Sequence, residues 1–128
     1  LSVHGEGNYP FHKEDSDLDI ALPDGTSDER WLEAIERGVR VALQGGAELA
    51  FFVAGVDAYH GDRLGRLAIT REGMAERDRL VYELCLERGV PVATCMAGGY
   101  ADPVEDIARL HAGTVRAAAT HHTLRSPR

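Results

Sequence analysis

Two uninterrupted apolar runs constrain this chain more than any other feature. Leu49-Ala50-Phe51-Phe52-Val53-Ala54 closes at Gly55, and Val90-Pro91-Val92-Ala93-Thr94-Cys95-Met96 ends just before Gly98-Gly99. A strand with one face in water alternates apolar and polar residues, so a run without alternation points to a strand covered on both faces, as in a parallel sheet. Parallel strands need a crossover, usually a helix. The sequence between the runs suits one. Thr70 can cap a helix running to about Arg88, with Met74, Leu80, Val81, Leu84 and Cys85 on its inner face and Gly89 ending it. Upstream, Leu18-Asp19-Ile20-Ala21-Leu22 alternates as a short strand and stops at the turn Pro23-Asp24-Gly25. Thr26 and Glu29 have capping-box spacing, and Trp31, Ile35, Val39 and Ala42 recur at helical intervals until Gly45-Gly46. Downstream, Asp102 as cap, Pro103 at the first helical position and Glu105 open a third helix through Val104, Ile107, Ala108, Val115 and Ala118. The segment from His121 to Arg128 reads as a frayed polar tail. Strand and helix in alternation predict an α/β domain, a parallel sheet with helices on both faces.

Composition narrows the function. With 128 residues the chain can bury about two-thirds of its unfolded surface and form one core without staples. The net charge is −7 and Lys13 is the only lysine, a poor basis for neutralising phosphates, so no nucleic-acid partner is expected. The longest apolar stretch, Ala47 to Val56, contains Glu48 and is too short to cross a bilayer, so no membrane association is expected either. No signal-peptide pattern opens the chain, and Cys85 and Cys95 lack metal-ligand spacing. Buried thiols in a reducing, cytoplasmic compartment is the expectation. The chain starts at Leu1 within a strand-like segment, which suggests a piece of a larger protein.

In a parallel α/β sheet ligands gather beyond the carboxyl ends of the strands. Two loops leave those ends: Gly55-Val56-Asp57-Ala58-Tyr59-His60-Gly61-Asp62 and Ala97-Gly98-Gly99-Tyr100. Asp57 offers a hard anionic oxygen suited to a divalent metal, and the Tyr100 hydroxyl could donate to a developing oxyanion. Asp and Gly are also ordinary loop residues at strand ends. An alternative function uses the same loop: a non-catalytic α/β binding module in which Gly98-Gly99 and the helix start at Asp102 cradle an anion or nucleotide. Gly5-Glu6-Gly7 does not extend that alternative, because Pro10 stands where G-x-G-x-x-G needs its third glycine.

Ala54-Gly55-Val56-Asp57-Ala58-Tyr59-His60-Gly61-Asp62-Arg63-Leu64-Gly65, then Leu67-Ala68-Ile69-Thr70 and Ala97-Gly98-Gly99-Tyr100, resemble the zinc-dependent histone deacetylase family. Ser2-Val3-His4-Gly5-Glu6-Gly7-Asn8-Tyr9-Pro10-Phe11 and Asp17 to Thr26 are similar to its class IV branch and bacterial relatives. The resemblance runs in order from Leu1 to about Ala119. It implies the C-terminal part of a three-layer α/β/α arginase/deacetylase fold over residues 1–119, followed by a polar tail over 120–128. It implies hydrolysis of the amide of an acylated amine, whether acetyl- or acyl-lysine or an acylpolyamine. By the same resemblance Asp57 is one of three zinc ligands, and Tyr100, aimed by Gly98 and Gly99, stabilises the oxyanion. Ser2 and the Val3 carbonyl lie near a structural monovalent-cation site, implying potassium. Arginase-type dimetal enzymes carry an Asp-x-Asp here; Gly55 stands two before Asp57, which favours the mononuclear branch. The family's Asp-x-His metal motif and catalytic histidine pair have no counterpart between Leu1 and Arg128. The resemblance therefore implies that this chain is inactive alone and holds zinc weakly or not at all, and that its exposed sheet edge invites self-association.

His4, Tyr59 and His60 are expected to line the site, although His4 also suits a structural role. Asp62, between Gly61 and Arg63, suits a loop-fixing carboxylate that accepts backbone N–H bonds. His12 and His111 have no partners by spacing, and the tandem His121-His122 falls in the tail. Asp15, Asp17 and Asp19 lack the Gly and terminal Glu of a calcium loop.

Overall fold

The computed structural model describes residues 1–125. Its elements follow the predicted order: β1 (Ser2–Gly5), β2 (Asp19–Leu22), α1 (Asp28–Ala42) with a 3-10 turn at Leu43–Gly45, β3 (Ala50–Gly55), α2 (Arg71–Glu87), β4 (Val92–Ala97) and α3 (Val104–Arg125). All strand pairing within the named strands is parallel.

The strands form two sheets rather than one. β1 pairs with β2, Ser2 opposite Asp19, and β3 pairs with β4, Ala50 opposite Val92. Ser2 and Glu6 donate their N–H groups toward β2, and Ala50 and Val56 donate theirs toward β4. Alternation then turns the main chain of Val3 and Gly5, and of Phe51, Val53 and Gly55, toward the other edge of each pair. Between the pairs lies a cleft of about 610 Å³, lined from one side by Val3, His4 and Gly5 and from the other by Phe51, Val53 and Gly55.

The three helices form one layer, α1 against α2 and α2 against α3. Helices on both faces were expected; among the described residues the second layer is absent, and the face carrying Phe51 and Val53 is 71% and 65% exposed at those residues. The apolar run at β3 thus reports burial that these residues do not themselves supply. Beneath the helices Ile69 and Val56 are inaccessible, and Trp31, Ile35, Met74, Leu84 and Cys85 complete the core. Cys95 is exposed, unlike the expected buried thiol, and no disulfide joins it to Cys85.

Capping differs in detail from the sequence pattern. Thr70 does cap α2, its hydroxyl accepting from the Gly73 N–H at 3.0 Å. Ser27, not Thr26, is the N-cap of α1; the Thr26 hydroxyl donates to the Pro23 carbonyl at 2.7 Å, so the box with Glu29 does not form. Asp28 instead ties α1 to α2 by accepting from the Thr70 N–H and hydroxyl at 2.8 and 2.5 Å. α3 starts one residue after Pro103 and continues through Arg125, so the tail from 121 to 125 is helical rather than frayed. His121 is buried and stacks on Tyr82 at 5.1 Å, which anchors that last turn. Residues 126–128 of the expected tail lie outside the described residues. Among the described residues no helix is long and apolar enough to cross a membrane.

Candidate functional site

The carboxyl ends of β3 and β4 bring two loops together. One of their contacts is Asp57 against Gly98: a Cβ on Gly98 would lie 3.2 Å from Asp57 Oδ1, and Gly98 has φ +62. Gly99 has φ +110, and a Cβ there would come within 2.7 Å of Val56. Both positions therefore favour glycine for backbone and space, and the loop can then present Tyr100, a residue 55% exposed. Asp57 is half-buried and borders the cleft together with His4 and Gly55.

The first loop closes tightly on Asp57. A Cβ on Gly65 would sit 1.8 Å from the Asp57 carbonyl oxygen, a backbone approach that only glycine permits. The turn that brings Gly65 there is held by Asp62, 9% exposed, whose Oδ1 accepts from the Leu64 and Gly65 N–H groups at 2.8 and 2.7 Å. This is the loop-fixing role read from the sequence. Asp62 also reaches the second loop, Oδ2 accepting from the Tyr100 N–H at 2.5 Å. The Tyr100 carbonyl accepts from the Arg63 N–H at 3.3 Å and from Arg63 Nε at 3.1 Å.

The remaining candidates divide. Ser2 and Val3 lie on β1, where Ser2 Oγ and His4 Nδ1 are 2.8 Å apart. His4 and Val3 border the cleft with Asp57, whereas Tyr59 and His60 do not. Tyr59 is buried, its hydroxyl donating to Asp106 Oδ2 at 3.3 Å and accepting from Arg71 Nε at 3.3 Å, which ties the loop to α2 and α3. Arg71 also pairs with Asp106, and that hydrogen bond is the main reason the Asp106 carboxyl is held below the ordinary carboxylate range. His60 is exposed beside the Tyr59 ring, with its N–H donated to the Ile69 carbonyl.

Arg77 borders the cleft without having been expected there. Its guanidinium lies over the Trp31 and Phe52 rings at 5.7 and 5.3 Å and donates from Nη1 to the Gly55 carbonyl at 2.5 Å. Asp78 balances its charge at 2.8 Å and accepts from the Thr114 hydroxyl at 2.6 Å. The available signal was spacing: Arg77 stands three after Met74 and four before Val81, on the helix's inner face.

A catalytic zinc site takes three protein ligands and keeps one open position. Among the described residues no three His, Cys, Asp or Glu side chains are grouped to hold a metal. The neighbours of the Asp57 carboxylate include Gly55 and Gly98, which bring no side-chain donor. These residues offer one carboxylate and do not by themselves fit a complete zinc centre.

The family model described as the histone deacetylase domain matches residues 1–118. An uncharacterized protein of Picosynechococcus sp. is 43% identical over 119 residues, covering 92% of this chain and 40% of that protein. Histone deacetylase 2 of Arabidopsis thaliana is 28% identical over 121 residues, covering 85% of this chain and 31% of that protein. Among solved structures, acetylpolyamine aminohydrolase from Burkholderia pseudomallei superposes with a TM-score of 0.71 at 20% identity, over 93% of this chain and 36% of that one. A histone deacetylase homolog complexed with SAHA matches equally, TM-score 0.71 at 22% identity, over 94% and 34%. The chain thus spans 40% or less of these relatives, and the structural matches confirm the arginase/deacetylase type of α/β fold over that share. With its motifs in family order and a family model covering all but its last ten residues, the chain belongs to the histone deacetylase domain family.

Proposed function

We propose that these residues form part of the active site of a zinc-dependent deacylase that hydrolyses the amide of an acylated amine, an acetyl- or acyl-lysine or an acylpolyamine. The observation that carries this reading is the packing of the Asp57 carboxylate against Gly98, in the loop that ends at Tyr100. A metal carboxylate and an oxyanion donor must face one reacting carbonyl, and that contact puts their loops side by side. Asp57 would be one of three metal ligands. The hydroxyl of the exposed Tyr100 would donate a hydrogen bond to the carbonyl oxygen as negative charge develops on it. Gly98 and Gly99 aim it, and Ser2 and Val3 lie where a structural potassium ion is implied. The other metal ligands and the general base come from outside these residues, so the chain is inactive on its own. A cytoplasmic setting goes with this reading, as does self-association through the open β3 edge.

Charge speaks against the alternative binding module. An anion at Gly98-Gly99 would meet Asp57 beside it, and the Tyr100 N–H needed to hold it is already given to Asp62. The test is hydrolysis of an acyl-lysine peptide by the complete gene product. Tyr100→Phe is expected to lower kcat roughly 100-fold or more, and Asp57→Ala to remove most activity and metal with the circular dichroism spectrum kept. Normal deacylation by the Asp57→Ala protein with metal still bound overturns the assignment. Turnover by the 128 residues alone overturns the need for outside ligands.

A further inference from the structure

Tyr100 faces a positioning problem that packing does not solve. The residue is 55% exposed, and the two residues before it are glycines at positive φ, so little on that side restricts where the phenol points. What restrains it is its own peptide. The N–H is held by Asp62 Oδ2 at 2.5 Å, and the carbonyl by the Arg63 N–H and Nε at 3.3 and 3.1 Å. We infer that Asp62 and Arg63 are positioning residues that clamp the Tyr100 peptide and so set its phenol relative to Asp57. This rests on the reading of Tyr100 as oxyanion donor.

A loop-fixing role accounts for only half of Asp62. Fixing the turn needs Oδ1, which takes the Leu64 and Gly65 amides. The bond from Oδ2 spans 38 residues of sequence to the other loop and adds nothing to that turn. Through Gly65 the same carboxylate presses the turn onto the Asp57 carbonyl, so one buried, charge-assisted group sets both loops. Asp62→Asn separates the two tasks. One oxygen can still accept from Leu64 and Gly65, while the amide nitrogen, a donor, faces the Tyr100 N–H.

The experiment is a double-mutant cycle on the complete, zinc-loaded protein with an acyl-lysine peptide, comparing Asp62→Asn, Tyr100→Phe and their combination. Asp62→Asn is expected to lower kcat about 10- to 100-fold, the loss of one charge-assisted hydrogen bond, with KM and zinc content unchanged. Added to Tyr100→Phe, it should lower kcat no further, because a residue acting only through the phenol has nothing left to position. An equal loss in both backgrounds overturns the proposal, as does a loss confined to zinc content. Tyr100→Phe with unchanged kcat overturns instead the reading of Tyr100 itself. Arg63→Gln serves the same cycle should Asp62→Asn not fold, since that exposed side chain reaches Tyr100 from the surface; it should cost kcat several-fold, again only while the Tyr100 hydroxyl is present.

Discussion

Replacing Asp78 by Ala should be among the most damaging substitutions in this chain. The Asp78 and Arg77 side chains are 4% and 6% exposed. Asp78 Oδ1 accepts from Arg77 Nε at 2.8 Å, and Oδ2 accepts from Thr114 Oγ1 at 2.6 Å. Without the carboxylate, a buried guanidinium keeps one acceptor, the Gly55 carbonyl, between the faces of Trp31 and Phe52. Breaking a buried pair from one side costs about 3–5 kcal/mol. That is a large share of the roughly 5–15 kcal/mol that holds a domain together. With a urea slope of about 2 kcal/mol per molar, the unfolding midpoint should fall by about 2 M. Trp31, the only tryptophan, is 3% exposed and reports the transition by fluorescence, with circular dichroism as a second probe. The control is Arg77→Met with Asp78→Leu, which removes both charges; Thr114 keeps its 3.4 Å contact to the Leu110 carbonyl. The double variant should be more stable than Asp78→Ala, because no charge is left buried alone. An Asp78→Ala protein within about 1 kcal/mol of the parent refutes the reasoning, since that is the range of an exposed pair. So does a double variant as unstable as the single one.

Two further predictions follow from charge and exposure. Asp19, Glu76 and Asp106 are held below the ordinary carboxylate range, by the Ser16 N–H, by Arg79 and by Arg71 respectively. A folded value below the unfolded one gives stability that is present above about pH 4 and lost as pH falls through the folded values. Urea midpoints measured from pH 7 downward should therefore drop below about pH 4, and Asp106→Asn should flatten the drop; an unchanged profile in that variant would rule Asp106 out as a contributor. Val53 is 65% exposed beside Phe51 at 71% on the open edge strand β3, so Val53→Lys, which removes apolar surface there and charges the edge, should weaken self-association of the chain about tenfold in sedimentation equilibrium. A parent chain that stays monomeric at high concentration would show that this face does not drive association.

Much of the candidate site was legible because backbone demands leave residue signatures. Gly98 and Gly99 before Tyr100 stand at positive φ, and Gly65 after Asp57 marks where backbone approaches too closely for a Cβ. The order of those motifs along the chain is itself the family's signature. Capping was less legible: Thr26 and Glu29 have the right spacing, yet the Thr26 hydroxyl turns back to Pro23, and Asp28 is drawn away to Thr70. Arg77 was legible only through its spacing from Met74 and Val81, a signal outweighed by its charge, because a cation between Glu76 and Asp78 looks like an ordinary solvated stretch of helix.

The sequence by itself determined the alternation of strand and helix, the family, and the loops that carry Asp57 and Tyr100, since each follows from local apolar period, glycine placement and motif order. Only the tertiary structure decided that the strands fall into two separate pairs, that one helical layer covers them, and that Asp62 joins Tyr100 to the Asp57 loop. Those outcomes depend on which edges and polar groups meet far along the chain, from Ser2 with Asp19 to Ala50 with Val92, and nothing in a local pattern states whether the partner of a buried strand is present in the same chain.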